Sequence, residues 1–88
     1  MEKLPPVATL TLAVCSYLDN IGTKASNSEI DNAVSKALNI PAELLSEIHS
    51  GNRTVFQYKM AWARTNAKKM GLAISLGHAY WKSAKGLG

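Results

Sequence analysis

Apolar residues return every three or four positions from Val7 to Leu18, which is the spacing of one face of an amphipathic helix. Pro5 and Pro6 stand just before this stretch, and they suit the first turn of a helix because proline has no N–H to donate there. Gly22 follows the last apolar positions and provides the turn chemistry that ends a helix. The pattern therefore predicts a first helix from Val7 to the segment "DNIG".

Two further helices are predicted between residues 26 and 50. Ser26, followed three residues later by Glu29, has the form of a capping box, and the apolar spacing after it predicts a second helix to about Asn39. Pro41 can stand in the first turn of a short third helix through "AELLSEI". The segment "HSGN" closes that helix, because glycine and asparagine favour turns.

The longest predicted helix runs from about Thr54 to Met70 and is stopped by Gly71. At about 100° per residue, its apolar side chains gather into one core-facing stripe. This stripe consists of Phe56, Met60, Ala63, Ala67 and Met70. The opposite sector, predicted to face solvent, consists of Gln57, Tyr58, Ala61, Arg64, Thr65, Lys68 and Lys69. Trp62 lies on the border, where we expect it to pack against a neighbouring helix or strand.

After Gly71 the pattern changes from a helical period to alternation. The segment "LAISLGHAYWKS" alternates apolar with small or polar residues, contains a "GH" that can turn the chain, and is rich in aromatic residues near its end. We therefore predict a β-hairpin with His78 exposed at its tip. Because successive strand residues point to opposite faces, Trp81 is expected to face the protein, and Tyr80 and Lys82 to face away.

The composition fits one domain, residues 1–88, with one core, since 47% of the 88 residues are hydrophobic. The chain has a single cysteine, Cys15, and therefore cannot form an internal disulfide, so we expect a reducing, cytoplasmic setting. The Cys15 side chain is expected to be buried, as free cysteines usually are. Prolines interrupt any signal-peptide core near the N-terminus, and no apolar stretch is long enough to span a membrane. We expect no association with a membrane.

Charge is divided unevenly along the chain. Residues 1–50 contain three lysines and six carboxylates, whereas residues 51–88 contain seven lysines and arginines and no carboxylate. This asymmetry favours an acidic partner such as a nucleic acid. Lys59 differs from the other cations, because the wheel places it beside the core stripe, with its stem along apolar surface. A metal-dependent nuclease needs clustered carboxylates, so we expect no catalytic residue, metal or cofactor in this domain.

The predicted elements occur in the order of a winged helix-turn-helix, a mainly α-helical fold with a small β-hairpin as its wing. A basic helix fits the DNA major groove, and an adjoining hairpin can reach the flanking backbone. The residues expected to approach bases are Thr54, Gln57, Tyr58 and Ala61, with Gln57 the best candidate for hydrogen bonds to a base edge. The residues expected to meet phosphates are Arg53, Arg64, Lys68, Lys69, Lys82 and Lys85. Thr65 and His78 complete the predicted site.

The segments "SGNRTVFQYKMAWARTNAKKMGL" and "GHAYWKSAKG" resemble the amino-terminal winged-helix domain of Mrr-type restriction endonucleases. The shared features are "WAR" at Trp62 to Arg64, "KKMGL" at Lys68 to Leu72, and Trp81 at the matching spacing. In that family the domain is attached to a nuclease that cuts DNA carrying methylated bases. The resemblance, which spans about residues 4–86, implies a DNA-recognition domain of a modification-dependent restriction system, with double-stranded DNA, methylated or unmodified, as its partner.

Two features depart from the family pattern. Family wings often carry an arginine-glycine at the tip, where this chain has Gly77, His78 and Ala79, and the threonine after the wing is replaced around Ser83. Family members continue into a catalytic domain, whereas this sequence stops at Gly88. We therefore expect either a domain excised from a longer restriction enzyme or a stand-alone relative.

A second interpretation is a protein-interaction or oligomerisation module, because one fold can serve several functions. The mixed surface of Tyr58, Trp62 and Tyr80 would then form an aromatic anchor site for a partner subunit. The sequence leaves both interpretations open, and it leaves open whether the domain forms a homodimer.

Overall fold

A computed structural model describes residues 3–86. Its helices are α1 (Val7–Ile21), α2 (Asn27–Ala37), α3 (Ala42–Leu45) and α4 (Val55–Lys69), and a 3-10 turn follows at Ala84–Gly86. Its strands are β1 (Ala25–Ser26), β2 (Ile48–Ser50), β3 (Arg53–Thr54), β4 (Ala73–Gly77) and β5 (Tyr80–Ser83). Strands β1, β5 and β4 form one antiparallel sheet in that order, and β2 pairs with β3 alone.

Helix α1 begins and ends where the sequence predicts. Pro6 has an extended backbone and precedes the first helical residue. Gly22 ends the helix with φ 65, a left-handed conformation, and its N–H donates to the carbonyl oxygen of Leu18 at 3.2 Å. Leu10, Val14 and Leu18 are completely buried, so this helix supplies a large part of the core.

Helices α2 and α4 begin with the same kind of cap. In α2 the Ser26 hydroxyl accepts the Glu29 N–H at 3.1 Å, and the Glu29 carboxylate accepts the Ser26 N–H at 2.9 Å, which confirms the predicted capping box. In α4 Thr54 and Gln57 make the equivalent pair of hydrogen bonds, each 3.0 Å long. Each cap provides partners for backbone N–H groups that a helix start leaves unpaired. Helix α2 then ends at Ala37, slightly earlier than predicted.

The predicted β-hairpin is present as β4 and β5, and we call the segment Ala73–Ser83 the wing. Its turn residues, His78 and Ala79, have φ 53 and 63, as a two-residue hairpin turn with positive φ at both positions requires. His78 is exposed at the tip and Tyr80 is exposed on β5, as predicted, whereas Lys82 is half-buried.

The wing is fastened to the helices at both of its ends. At the tip, the Asn27 N–H donates to the Ala79 carbonyl oxygen at 2.9 Å, and Nε1 of Trp81 donates to Oδ1 of Asn27 at 2.6 Å. Trp81 therefore faces the protein, as predicted. At the base, the buried Ser83 hydroxyl donates to the Asp19 carboxylate of α1.

The core lies between α1 and α4, and α2 and the wing cover its sides. Four members of the predicted α4 stripe are buried, namely Phe56, Met60, Ala63 and Ala67. The assignment of Met70 to this stripe is wrong, because its position just after the end of α4 leaves it 56% exposed. Cys15 is buried and free, as predicted, and burial raises the pKa of its thiol.

Arg64 is buried on the inner side of α4, so its assignment to the outward sector is wrong. Its side chain is 9% exposed, and its guanidinium forms a salt bridge with the Asp31 carboxylate of α2. Arg64 lies one helical turn from Met60 and from Ala67, which places it at the edge of the core stripe that faces α2. Burial raises the pKa of the Asp31 carboxyl, although the Arg64 guanidinium beside it acts in the opposite direction.

A small hairpin, β2–β3, precedes α4 where the sequence pattern predicts only a turn. Its pairing is irregular, with a register shift between Ile48 and Ser50. The Val55 N–H donates to the Glu47 carbonyl oxygen at 2.8 Å, which ties the base of this hairpin to the start of α4. Helix α3 is accordingly shorter than predicted, because the chain enters β2 at Ile48.

This arrangement is the predicted winged helix-turn-helix. Helices α1, α2 and α4 pack around the core, and the β1–β5–β4 sheet carries the wing at its end. Helix α3 and the β2–β3 hairpin are additions between α2 and α4. Helix α4 therefore occupies the position of a recognition helix, with the wing directly after it in the chain.

The salt bridge between α2 and α4 predicts a large effect of a single substitution. We expect Arg64→Met to lower the free energy of unfolding by roughly 2 kcal/mol, because it leaves the partly buried Asp31 carboxylate without its partner. The double variant Asp31→Leu with Arg64→Met should recover most of this loss, since an apolar pair needs no charge compensation. Urea denaturation at neutral pH measures both values, and a double variant as unstable as the single one would contradict the prediction.

The bond between Asp19 and Ser83 predicts a contribution to stability that acid removes. The Ser83 hydrogen bond, more than the nearby Lys85 charge, lowers the pKa of the Asp19 carboxyl below its usual 3.8. This contribution to the free energy of unfolding is therefore fully present at pH values above the usual pKa of an aspartate. It is lost as the pH falls through the lower pKa that Asp19 has in the folded protein. The difference in unfolding free energy between the unmodified chain and Asp19→Asn should be constant near neutral pH and shrink below about pH 4. Denaturant titrations at several pH values measure it, and a difference that persists unchanged in acid would contradict this assignment.

Candidate functional site

The solvent-facing side of α4 combines aromatic and basic side chains. We call this surface the α4 face, and it consists of Gln57, Tyr58, Ala61, Trp62, Thr65, Lys68 and Lys69. Trp62 is 47% exposed and Tyr58 is 37% exposed. Trp62 is therefore covered over only about half of its surface, and it is absent from the buried core. The α4 face has an aromatic centre, and its two lysines are exposed in the last turn of the helix.

A shallow groove of about 470 Å³ runs along the α4 face. It is lined by Arg53, Tyr58, Ala61, Trp62, Thr65 and Lys69. Arg53 lies just before the helix and Lys69 lies in its last turn, so the groove has a cation at each end and an apolar middle. Such a groove suits an extended ligand that carries separated negative charges.

The β2–β3 hairpin places two side chains beside Tyr58 at the start of the groove. The rings of His49 and Tyr58 stack with their centroids 4.2 Å apart and an angle of 25° between their planes. The guanidinium carbon of Arg53 lies 6.0 Å from the centre of the Tyr58 ring, within the range of a cation–π contact. His49 is absent from the predicted site, because no spacing rule connects a residue of an irregular hairpin with one in the following helix.

Thr54 and Gln57, which are predicted to approach bases, are used by the helix itself. The Thr54 hydroxyl oxygen accepts the Gln57 N–H, and Oε1 of Gln57 accepts the Thr54 N–H. A glutamine that recognises adenine in the major groove uses its oxygen and its nitrogen together. The cap fixes the position of the Gln57 side chain and uses one of the two acceptor lone pairs of Oε1, so Gln57 is less free to adjust to a base edge.

The structure brings together only part of the predicted site. The predicted residues that line the groove are Arg53, Tyr58, Ala61, Thr65 and Lys69. Those on or after the wing are His78, Lys82 and Lys85. Lys68 is exposed on the last turn of α4, and Nζ of Lys85 lies 3.4 Å from the Asp19 carboxylate. Arg64 lies apart from all of these in its salt bridge with Asp31.

Within residues 3–86, no group of three or more histidine, cysteine, aspartate or glutamate side chains is arranged to hold a metal ion. In the same part of the chain, no helix has both the length and the apolar character needed to cross a membrane. Two carboxyl groups among these residues have an altered pKa, and neither lies on the α4 face. Asp19, with a lowered pKa, contacts the base of the wing, and Asp31, with a raised pKa, forms the salt bridge between α2 and α4. The chemistry of the α4 face therefore depends on cations and aromatic rings.

The amino-acid sequence matches a known protein family. The sequence pattern of the Mrr N-terminal domain matches residues 8–86, which include every helix and strand apart from the first residue of α1. No curated protein and no solved structure matches the chain.

The second capping box predicts that Gln57 contributes to stability rather than to recognition. Gln57→Ala removes the acceptor for the Thr54 N–H and should lower the free energy of unfolding by about 1 kcal/mol. Gln57→Glu is the matched control, because glutamate at this position makes the same cap and its charge suits a helix N-terminus. Thermal unfolding of both variants measures the effect. Equal losses in the two variants would contradict the capping role.

Proposed function

The chain belongs to the Mrr N-terminal domain family, and on this premise we propose that it is a double-stranded DNA-binding module. The family is associated with Mrr-type restriction systems, and its domain is a non-catalytic module. In such a system this domain would recognise the target, for which we propose methylated DNA, and another domain would cut it. Helix α4 would enter the major groove, and the wing would contact the flanking backbone.

The single observation that carries this proposal is the groove on the α4 face with a cation at each end. Arg53 and Lys69 mark its ends, and Lys68 is exposed beside Lys69. Residues 51–88 contain no carboxylate that would repel a polyanion. A DNA duplex carries a negative charge about every 1.7 Å along its axis, so it can meet both ends of the groove at once.

The structure changes which cations we assign to phosphates. We propose Arg53, Lys68, Lys69 and Lys82, which lie on the groove, the end of α4 and the wing. Arg64 is left out because it is buried against Asp31. Lys85 is left out because the Asp19 carboxylate already compensates its charge in part.

A second candidate function, a protein-interaction module, is favoured by an apolar surface next to the groove. A hollow of about 330 Å³ between α1 and the end of α4 is lined by Ala8, Thr11, Leu12, Asn66, Lys69 and Met70. Leu12 is 64% exposed, and Met70 is also exposed. Light scattering across protein concentrations distinguishes this function, because a partner site for a second copy would raise the mean mass as concentration increases.

The proposed phosphate contacts predict a defined dependence on salt. Fluorescence anisotropy of a labelled duplex should show log affinity falling with log salt concentration at a slope of about −3 to −4. Lys69→Gln should weaken binding to all sequences alike and reduce the magnitude of the slope by about one. The matched control is Lys59→Gln, because Nζ of Lys59 donates to the Pro5 carbonyl oxygen at 3.2 Å, away from the groove. Absent or salt-independent binding to methylated and unmethylated duplexes would refute the proposed function.

A further inference from the structure

Several polar groups that could read a base edge near the start of α4 are already engaged within the protein. The Thr54 hydroxyl oxygen and Oε1 of Gln57 accept the hydrogen bonds of the cap. The guanidinium of Arg64 is held by Asp31. The ring of Tyr58 is stacked against His49. What remains at the middle of the groove is mainly apolar.

The apolar middle of the groove consists of the adjacent residues Ala61 and Trp62. Trp62 exposes nearly half of its surface, although a large indole in contact with water loses the stabilisation that burial would give. Arg53 and Lys69 lie on either side of this pair along the helix. If these cations meet phosphates, they position the helix so that its middle faces the base edges.

The chemistry of the major groove restricts what an apolar pair can recognise there. Most groups that the bases present are hydrogen-bond donors or acceptors, and these would lose their partners against the face of an indole ring, whose single N–H lies at its edge. The apolar group that an unmodified base pair presents is the C5-methyl group of thymine. Cytosine methylated at C5 presents the same group at the same ring position.

We infer that Trp62, together with Ala61, recognises the C5-methyl group of a pyrimidine in the major groove. The inference rests on the proposed function, because it requires α4 to bind duplex DNA. It moves base recognition from Gln57, which forms the cap, to the exposed indole of Trp62, five residues further along the helix.

The test compares three labelled duplexes of one mixed sequence that differ only at C5 of their pyrimidines. The first contains thymine and cytosine, the second has uracil in place of thymine, and the third has 5-methylcytosine in place of cytosine. Fluorescence anisotropy at fixed salt should show that each methyl group contacted by the indole raises the affinity about fivefold. A loss with uracil identifies thymine as the source of the methyl group, and a gain with the third duplex identifies 5-methylcytosine.

The variant Trp62→Ala should bind the three duplexes alike while keeping the salt dependence of the original chain, because the cations are unchanged. Leu12→Ala is the control, since it removes another exposed apolar side chain that lies outside the groove. It should keep the full preference for methyl groups. Thermal unfolding of both variants shows that each is folded.

The outcomes separate this inference from the proposed function. Equal affinity of the original chain for all three duplexes, with a normal salt slope, would overturn the inference and leave DNA binding intact. An unchanged methyl preference in Trp62→Ala would also overturn it. Failure to bind any of the duplexes would overturn the proposed function itself, and the inference with it.

Discussion

The close packing of α4 against α1 is the constraint on which the rest of the structure depends. Ala63 and Ala67 are completely buried, and their small side chains let the two helix backbones approach each other. Met60, on the same stripe, is also completely buried. Because three successive turns of α4 are fixed in this way, the rotation of the helix about its axis is fixed as well. Every side chain of the α4 face takes its direction from that rotation.

Polar contacts at the edges of this packing determine what chemistry is left at the surface. The Arg64–Asp31 pair removes one cation from the surface, and the cap formed by Thr54 and Gln57 occupies two hydrogen-bonding groups. The exposed remainder of α4 is therefore less polar in its middle than the sequence of the helix indicates. Tyr58 and Trp62 therefore form a large part of the exposed surface of this face.

Regular periodicity made most of the fold predictable from the sequence. The two long helices, the first capping box and the wing follow from local patterns that span many residues. Strands β1 and β3 were not predictable in this way, because each is two residues long and neither shows alternation. The β2–β3 pairing is also irregular, so no simple pattern marks it.

The candidate site was less predictable, because its features depend on contacts between distant segments. Arg64 is predicted to face solvent, and only the position of Asp31 on α2 shows that its guanidinium is buried. The stack of His49 on Tyr58 likewise depends on the unpredicted hairpin. The pattern Thr54 to Gln57 has the same form as the capping box at Ser26, and this signal could have shown in advance that Gln57 belongs to the helix start.

The fastening of the wing at both ends has a consequence for how a duplex would be accommodated. The tip is held by Asn27 through Ala79 and Trp81, and the base is held by Asp19 through Ser83. Because these contacts join the wing to α1 and α2, they set its position relative to α4. In the proposed complex, a duplex whose groove width matches the spacing of α4 and the wing would be favoured, and base steps that no side chain touches would then contribute to selectivity.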